Sequence, residues 1–185
     1  MRRVPAFMFL VLLLVPFPST ATTVRYLDLD SLVGSSSLVF HATVTQVQAS
    51  NQGTLKSPRI VTDVTFTVHR VLKGTNPGPA YTLRLVGGSV DGYTLAIPGQ
   101  PRFRTGEEVV VFLEFTGIEH VVTGMSQGVF RVAKDANDRP IAVRDLTGLS
   151  LVRPGGAPDQ FEPGRPEEPL LLEELFRRVN ESRAR

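Results

Sequence analysis

The sequence predicts a mainly β fold, a small antiparallel OB-like barrel or a sandwich, ending in a C-terminal α-helix. Three observations carry this. Short runs rich in Val, Thr, Phe and Tyr alternate with period 2 and are separated at close intervals by Gly, Pro, Asn and Asp. No run of strand type is followed by a helix-length apolar period in βαβ fashion, so a parallel α/β sheet is not expected. Near the end, Leu172, Leu175, Phe176 and Val179 recur at i, i+3, i+4 and i+7, which is one face of a helix.

The chain begins with Arg2 and Arg3, an apolar run over 6–15, then Pro16, Pro18 and a small-residue segment ending at Ala21. This is the pattern of a secretory signal peptide over residues 1–21, and it predicts an exported protein, periplasmic or extracellular. The apolar run is too short for roughly 30 Å of hydrocarbon, so no membrane attachment is expected after cleavage. With 0 cysteines there is no disulfide framework, no lipid-attachment thiol and no thiol nucleophile. Arg2 and Arg3 leave with the signal, which reduces the 20 basic residues to 18 against 18 acids. A chain so balanced, without a basic stripe, is not expected to bind nucleic acid.

From residue 22 the organisation predicted is a β-domain over 22–150, a Pro/Gly-rich linker over 151–169 and the helix over 170–183. Residues 24–29 read as a first edge strand followed by a turn, with a single helical turn capped by Asp28 or Asp30 as the alternative. The next strand, 38–48, places Leu38, Phe40, Ala42 and Val44 on one face. After an exposed loop, 60–72 is a strand long enough to demand a bulge, with Val64, Phe66 and Val68 on its apolar face. The Asn76-Pro77-Gly78-Pro79 turn leads into 81–86, where Tyr81, Leu83 and Leu85 align. Residues 107–115 form the strongest strand, and its two apolar faces predict that both sides of the sheet are covered. Thr116-Gly117 connects it to a return strand over 118–123. The segment 124–127 is read as a turn, and strands at 128–133 and 141–144 follow. On the helix, Glu173 with Arg177 and Glu174 with Arg178 are expected as ion pairs, and its apolar face is expected to dock on its own domain.

Two landmarks carry a resemblance. Val71-Leu72-Lys73-Gly74 ends one strand, and Gly106 and Glu107 precede Val109 and Phe112 in another. Over residues 36–133 the chain resembles exported bacterial domains of unassigned function. It is also similar to the TIMP/netrin-like modules, OB-type barrels with a terminal helix. The resemblance implies a fold and a role in binding. Inhibition of the TIMP kind rests on an amino-terminal cysteine, where this chain would begin with Thr22 and Thr23. A protease-inhibitor-like module therefore stands as an alternative.

The candidate binding surface is the flap of residues 87–105, with Tyr93, Arg102, Phe103 and Arg104, since aromatic and Arg side chains on a Gly/Pro-shaped loop suit a contact surface. The competing reading of Phe103 is a core plug. His41, His69 and His120 lie in three predicted strands and could ligate a metal if those strands were neighbours, which frames a second alternative, a metal-dependent or other hydrolase. Glu107 and Glu108 point to opposite faces and read as turn-exit charges, and Asp135, Asn137 and Asp138 as a solvated loop. No cofactor is expected. The leading expectation is an exported, non-enzymatic β-domain that binds a protein or cell-envelope partner through the flap or the C-terminal helix.

Overall fold

In chain order the elements are β1 (Thr22–Arg25), α1 (Leu29–Ser35), β2 (Leu38–Asn51), β3 (Ile60–Lys73), β4 (Ala80–Val86), β5 (Gly88–Val90), β6 (Tyr93–Leu95), β7 (Glu108–Phe115), β8 (His120–Val122), a 3-10 turn (Met125–Gly128), β9 (Val129–Lys134), β10 (Pro140–Arg144), β11 (Leu149–Val152), β12 (Glu162–Pro163), β13 (Leu170–Leu171) and α2 (Leu172–Arg183). The structure, a computed structural model, describes residues 22–54, 57–155 and 160–184. The predicted signal peptide, 1–21, lies outside the described residues. No helix among the described residues is long and apolar enough to cross a membrane.

One antiparallel sheet runs β13-β10-β9-β7-β2-β3-β4. β7 pairs with β9 through Val109–Val111 and with β8 through Leu113–Phe115, so its single edge serves two strands in succession. Between β2 and β3 the register shifts at three places, which supplies the bulges expected of so long a strand. The sheet coils until β4 lies beside β8, yet the two make no backbone ladder among the described residues. The fold is thus mainly β and sandwich-like, with an open sheet in place of the closed OB-like barrel. At Gly87 the chain leaves β4 and crosses one face as the flap, which covers the interior that a closing strand would have covered.

Both faces of β7 are covered, as its alternation predicts: Val109 to Leu113 are each 0 % exposed. The flap face carries Phe40, Val44, Phe66, Val111 and Leu113, with Phe103 packed edge-on against Phe66. The opposite face carries Val39, Val110, Phe112 and Phe130 against Leu32 and Val33 of α1 and Leu175, Phe176 and Val179 of α2. Each such side chain contributes at most about 1.5–3 kcal/mol through area removed from water. The apolar stripe of α2 therefore docks on its own domain, across a sheet face and not at the end of a barrel. On its outer side Glu174 lies between Arg177 and Arg178, whose hydrogen bonds hold its carboxyl down to about 2. Glu173 faces Arg70 of β3 at 3.7 Å, where pairing with Arg177 was expected.

The amino-terminal strand is shorter than expected, and the capped helix replaces the turn. The Asp28 carboxylate accepts from the Ser31 N–H at 2.8 Å, opening α1 at Leu29. Lys73 and Gly74 of the first landmark meet this helix: Lys73 Nζ donates to the Val33 carbonyl. Gly74, at φ +88°, passes so close that a Cβ there would lie 2.3 Å from the Ser37 carbonyl oxygen.

The 151–169 stretch, expected as a linker, carries structure where it is described. Leu151 belongs to β11, which pairs in parallel with β1 and antiparallel with β12. Leu146, Leu149 and Leu151 form a third core with Val24 and Tyr26. Beside it Arg144, 2 % exposed, donates to the Gln127 carbonyl at 2.9 Å, to the Leu27 carbonyl at 2.6 Å and to Glu167 at 3.3 Å. Glu167 also accepts from the Tyr26 hydroxyl at 2.9 Å, and burial together with this bond raises the phenol above its ordinary value. The Gln127 amide closes the set by accepting from the Leu27 N–H and donating to the Arg25 carbonyl. Arg144 thus holds the segment before α1 through Leu27 and the segment before α2 through Glu167.

Candidate functional site

The flap folds as a β5–β6 hairpin followed by an irregular return through Pro98 and Pro101 to Phe103. Only its last part reaches the core: Phe103 is 7 % exposed, so this residue is a core plug. Arg102 and Arg104, its sequence neighbours, point to solvent, while the Arg102 carbonyl accepts from Arg131 and the Arg104 N–H donates to Glu107. Tyr93 is 44 % exposed at the hairpin turn.

Between hairpin, return segment and the ends of β2, β3 and β4 lies a cleft of about 470 Å³. Phe103 and Val64 form part of its lining, and Val47, Val86, Leu95 and Ile97 line it as exposed apolar side chains. Polar groups within it are largely occupied. The Thr62 hydroxyl donates to the Gly87 carbonyl at 2.6 Å, the Gln100 amide donates to the Val86 carbonyl at 2.9 Å, and Ser89 and Thr94 hydrogen-bond to each other. Among the described residues that line it, Arg102 alone is ionisable, and its guanidinium has no hydrogen bond or ion pair among the described residues. Of the four residues expected on the binding surface, Arg102 and Phe103 therefore meet at one cleft. Tyr93 and Arg104 do not line it. Val47, Val86, Leu95 and Ile97 were not singled out by sequence, although their exposure in a Val/Leu/Ile-rich chain is the signal a structure supplies.

The histidines divide. His41 and His69 come together on the helix face, ring centroids 5.2 Å apart. His41 donates from Nε2 to Glu108 Oε1 at 2.6 Å and packs on Phe176, while His69 shares a hydrogen bond with Thr43. His120 packs on Tyr81 and Phe115 on the other side of the sheet. The three-histidine ligand set is thus split by the sheet itself, and no group of three His, Cys, Asp or Glu able to hold a metal ion occurs among the described residues. Glu108 is a histidine partner, where a turn-exit charge was expected. Asp135 is also engaged: it accepts from the Asn137 and Arg139 N–H groups and from the Arg139 guanidinium, which hold its carboxyl below the usual range.

The turn at 124–127 hides a pattern that reading it as a turn overlooks: Gly124-Met125-Ser126-Gln127-Gly128 has Gly-x-Ser-x-Gly spacing. A nucleophile elbow needs an exposed serine between a strand and a helix. Here Ser126 Oγ is shielded and has no hydrogen-bond partner among the described residues, and a 3-10 turn leads straight into β9. Packing accounts for Gly128, where a Cβ would lie 2.5 Å from the Thr123 carbonyl oxygen.

Together these features define an open mainly β sheet, sealed by two helices on one face and partly covered by a flap on the other. No family model, no curated protein and no solved structure matches the chain.

Proposed function

We propose that the chain is an exported, non-enzymatic binding domain whose flap cleft receives an apolar part of a cell-envelope partner. The observation that carries the reading is the cleft itself. Its volume lies within the roughly 300–1,000 Å³ of small-molecule sites, and its lining combines apolar side chains such as Val47, Val86, Leu95 and Ile97 with the polar groups of Thr62, Gln100 and Arg102. Exposed Val86 and Ile97 on the same cleft give water-exposed apolar area that a ligand would cover. The non-enzymatic part is supported by the placement of the histidines: His41 and His69 lie on the face away from the cleft, and His120 is not on its lining. Export is supported by the pattern of residues 1–21, and a binding role by the resemblance of the Val71 and Gly106 landmarks to TIMP/netrin-like modules.

An environment-sensitive apolar dye tests this. Residues 22–185 are expected to bind it at one saturable site, and Ile97→Asp or Val86→Asp to abolish the signal with an unchanged melting temperature. Equal dye binding by both variants would place the ligand elsewhere. For export, amino-terminal sequencing of the exported protein is expected to start at Thr22.

A further inference from the structure

The geometry points to a single-chain aliphatic carboxylate, a fatty-acid-like amphiphile, as the ligand of the flap cleft, its tail against Val86, Leu95 and Ile97 and its head group on Arg102. This rests on the binding role proposed for the cleft and names its ligand class.

Two observations select that chemistry. The first concerns the backbone. A buried peptide needs partners for its own N–H and C=O groups, and an extended peptide usually finds them on a strand edge. Where β4 ends at the cleft, the backbone groups of Val86 and Gly87 that an extended peptide could use are already taken. The Val86 carbonyl accepts from Gln100, the Gly87 carbonyl from Thr62, and the Gly87 N–H donates to the Ile60 carbonyl at 2.8 Å. A peptide seated against Val86 and Gly87 would not find partners there for its own amides, whereas an aliphatic chain has none to satisfy.

The second concerns charge. Arg102 is the ionisable residue on the described lining, and its guanidinium is unpaired among the described residues. Of the neighbouring cations, Arg131 faces Glu107 at 3.7 Å, Arg84 is paired with Asp63, and Arg104 does not line the cleft. A planar guanidinium matches a carboxylate through two parallel hydrogen bonds. One cation balances one carboxylate charge, whereas a phosphate monoester, at about −1.5 to −2, would bring surplus negative charge to the cleft.

The test is titration of the chain of residues 22–185 with monomeric dodecanoate, dodecanol and an extended apolar peptide, each displacing the apolar dye. Dodecanoate is expected to bind one per chain and to weaken as salt is raised. Arg102→Gln is expected to lower dodecanoate affinity about fivefold and leave dodecanol unchanged, and Arg102→Lys to recover part of the loss. Dodecanol binding as tightly as dodecanoate, with Arg102→Gln without effect, would overturn the inference while the apolar cleft stood. Displacement by the peptide in preference to both amphiphiles would overturn it in favour of a protein ligand. Absence of dye binding altogether would instead remove the binding role on which it rests.

Discussion

The two faces of the main sheet are covered by different means, and the difference locates the cleft. On the helix face, α1 and α2 lay Leu32, Val33, Leu175, Phe176 and Val179 onto Val110 and Phe112, each at most 4 % exposed. A helix repeats its apolar side chains every 3.6 residues, so it tiles a sheet without gaps. On the flap face the covering segment is a two-strand hairpin and a Pro-rich return that commits Phe103 to the core and leaves Val86, Leu95 and Ile97 in the open. Lacking a regular period, it bridges the sheet instead of tiling it. A sealed face serves stability and a bridged one leaves room for a ligand.

Substitutions can pull this contrast apart. The largest effect is expected on the helix face, where Phe176→Ala should cost about 3–5 kcal/mol by urea unfolding, because close-packed neighbours cannot collapse into the space. A loss below 1 kcal/mol would show that the helix is not part of the stability core. Arg144→Met is expected to cost about 3 kcal/mol, since it leaves the buried Gln127 carbonyl and the half-buried Leu27 carbonyl and Glu167 with fewer partners. Hydrogen exchange should then rise in both segments leading into the helices, 25–28 and 165–171, ahead of the flap. On the flap face Phe103→Ala is expected to cost less, about 2 kcal/mol, because the adjoining cleft lets the segment settle inward. Its exchange should rise over 88–105 while the helix face stays protected; equal loosening of both faces would erase the distinction.

The smallest effect belongs to the cap of α1. Asp28→Ala is expected to cost about 1 kcal/mol at neutral pH. The hydrogen bond from Ser31 holds the Asp28 carboxyl below its ordinary value of 3.8. Its contribution is therefore complete above that value and is lost as pH falls through the lower folded value. The variant and the parent should accordingly converge in stability in acid, and a gap that persists there would assign the effect to something other than the carboxylate.

Much of this was legible in the chain. The alternation of Val109 to Leu113, the thirteen-odd residues after Ile60 that required a bulge, the turn at Asn76 to Pro79 and the stripe of α2 all follow from side-chain period and turn chemistry acting within a few residues. The site was legible in part. Phe103 stood out as an aromatic in a Gly/Pro flap, but its burial beside Phe66, 37 positions away in β3, made it a plug. Arg102 drew notice as one of a pair, and only the surroundings distinguish it from Arg104, because one lines the cleft and the other does not.

The sequence by itself determined the strands from Leu38 to Arg144, their turns, the terminal helix and the requirement that both faces of β7 be covered, since these depend on local periodicity. Which segment covered which face was decided by the tertiary structure. So was the clamp at Arg144, whose partners Gln127 and Leu27 lie 17 and 117 residues away. The same holds for the division of the histidines, two on one side of the sheet and one on the other. Such arrangements follow from strand order and coiling, in which β4 comes to lie beside β8 without pairing. No local pattern encodes that distance, nor the course of the flap that leaves the cleft between its hairpin, its return segment and the ends of β2, β3 and β4.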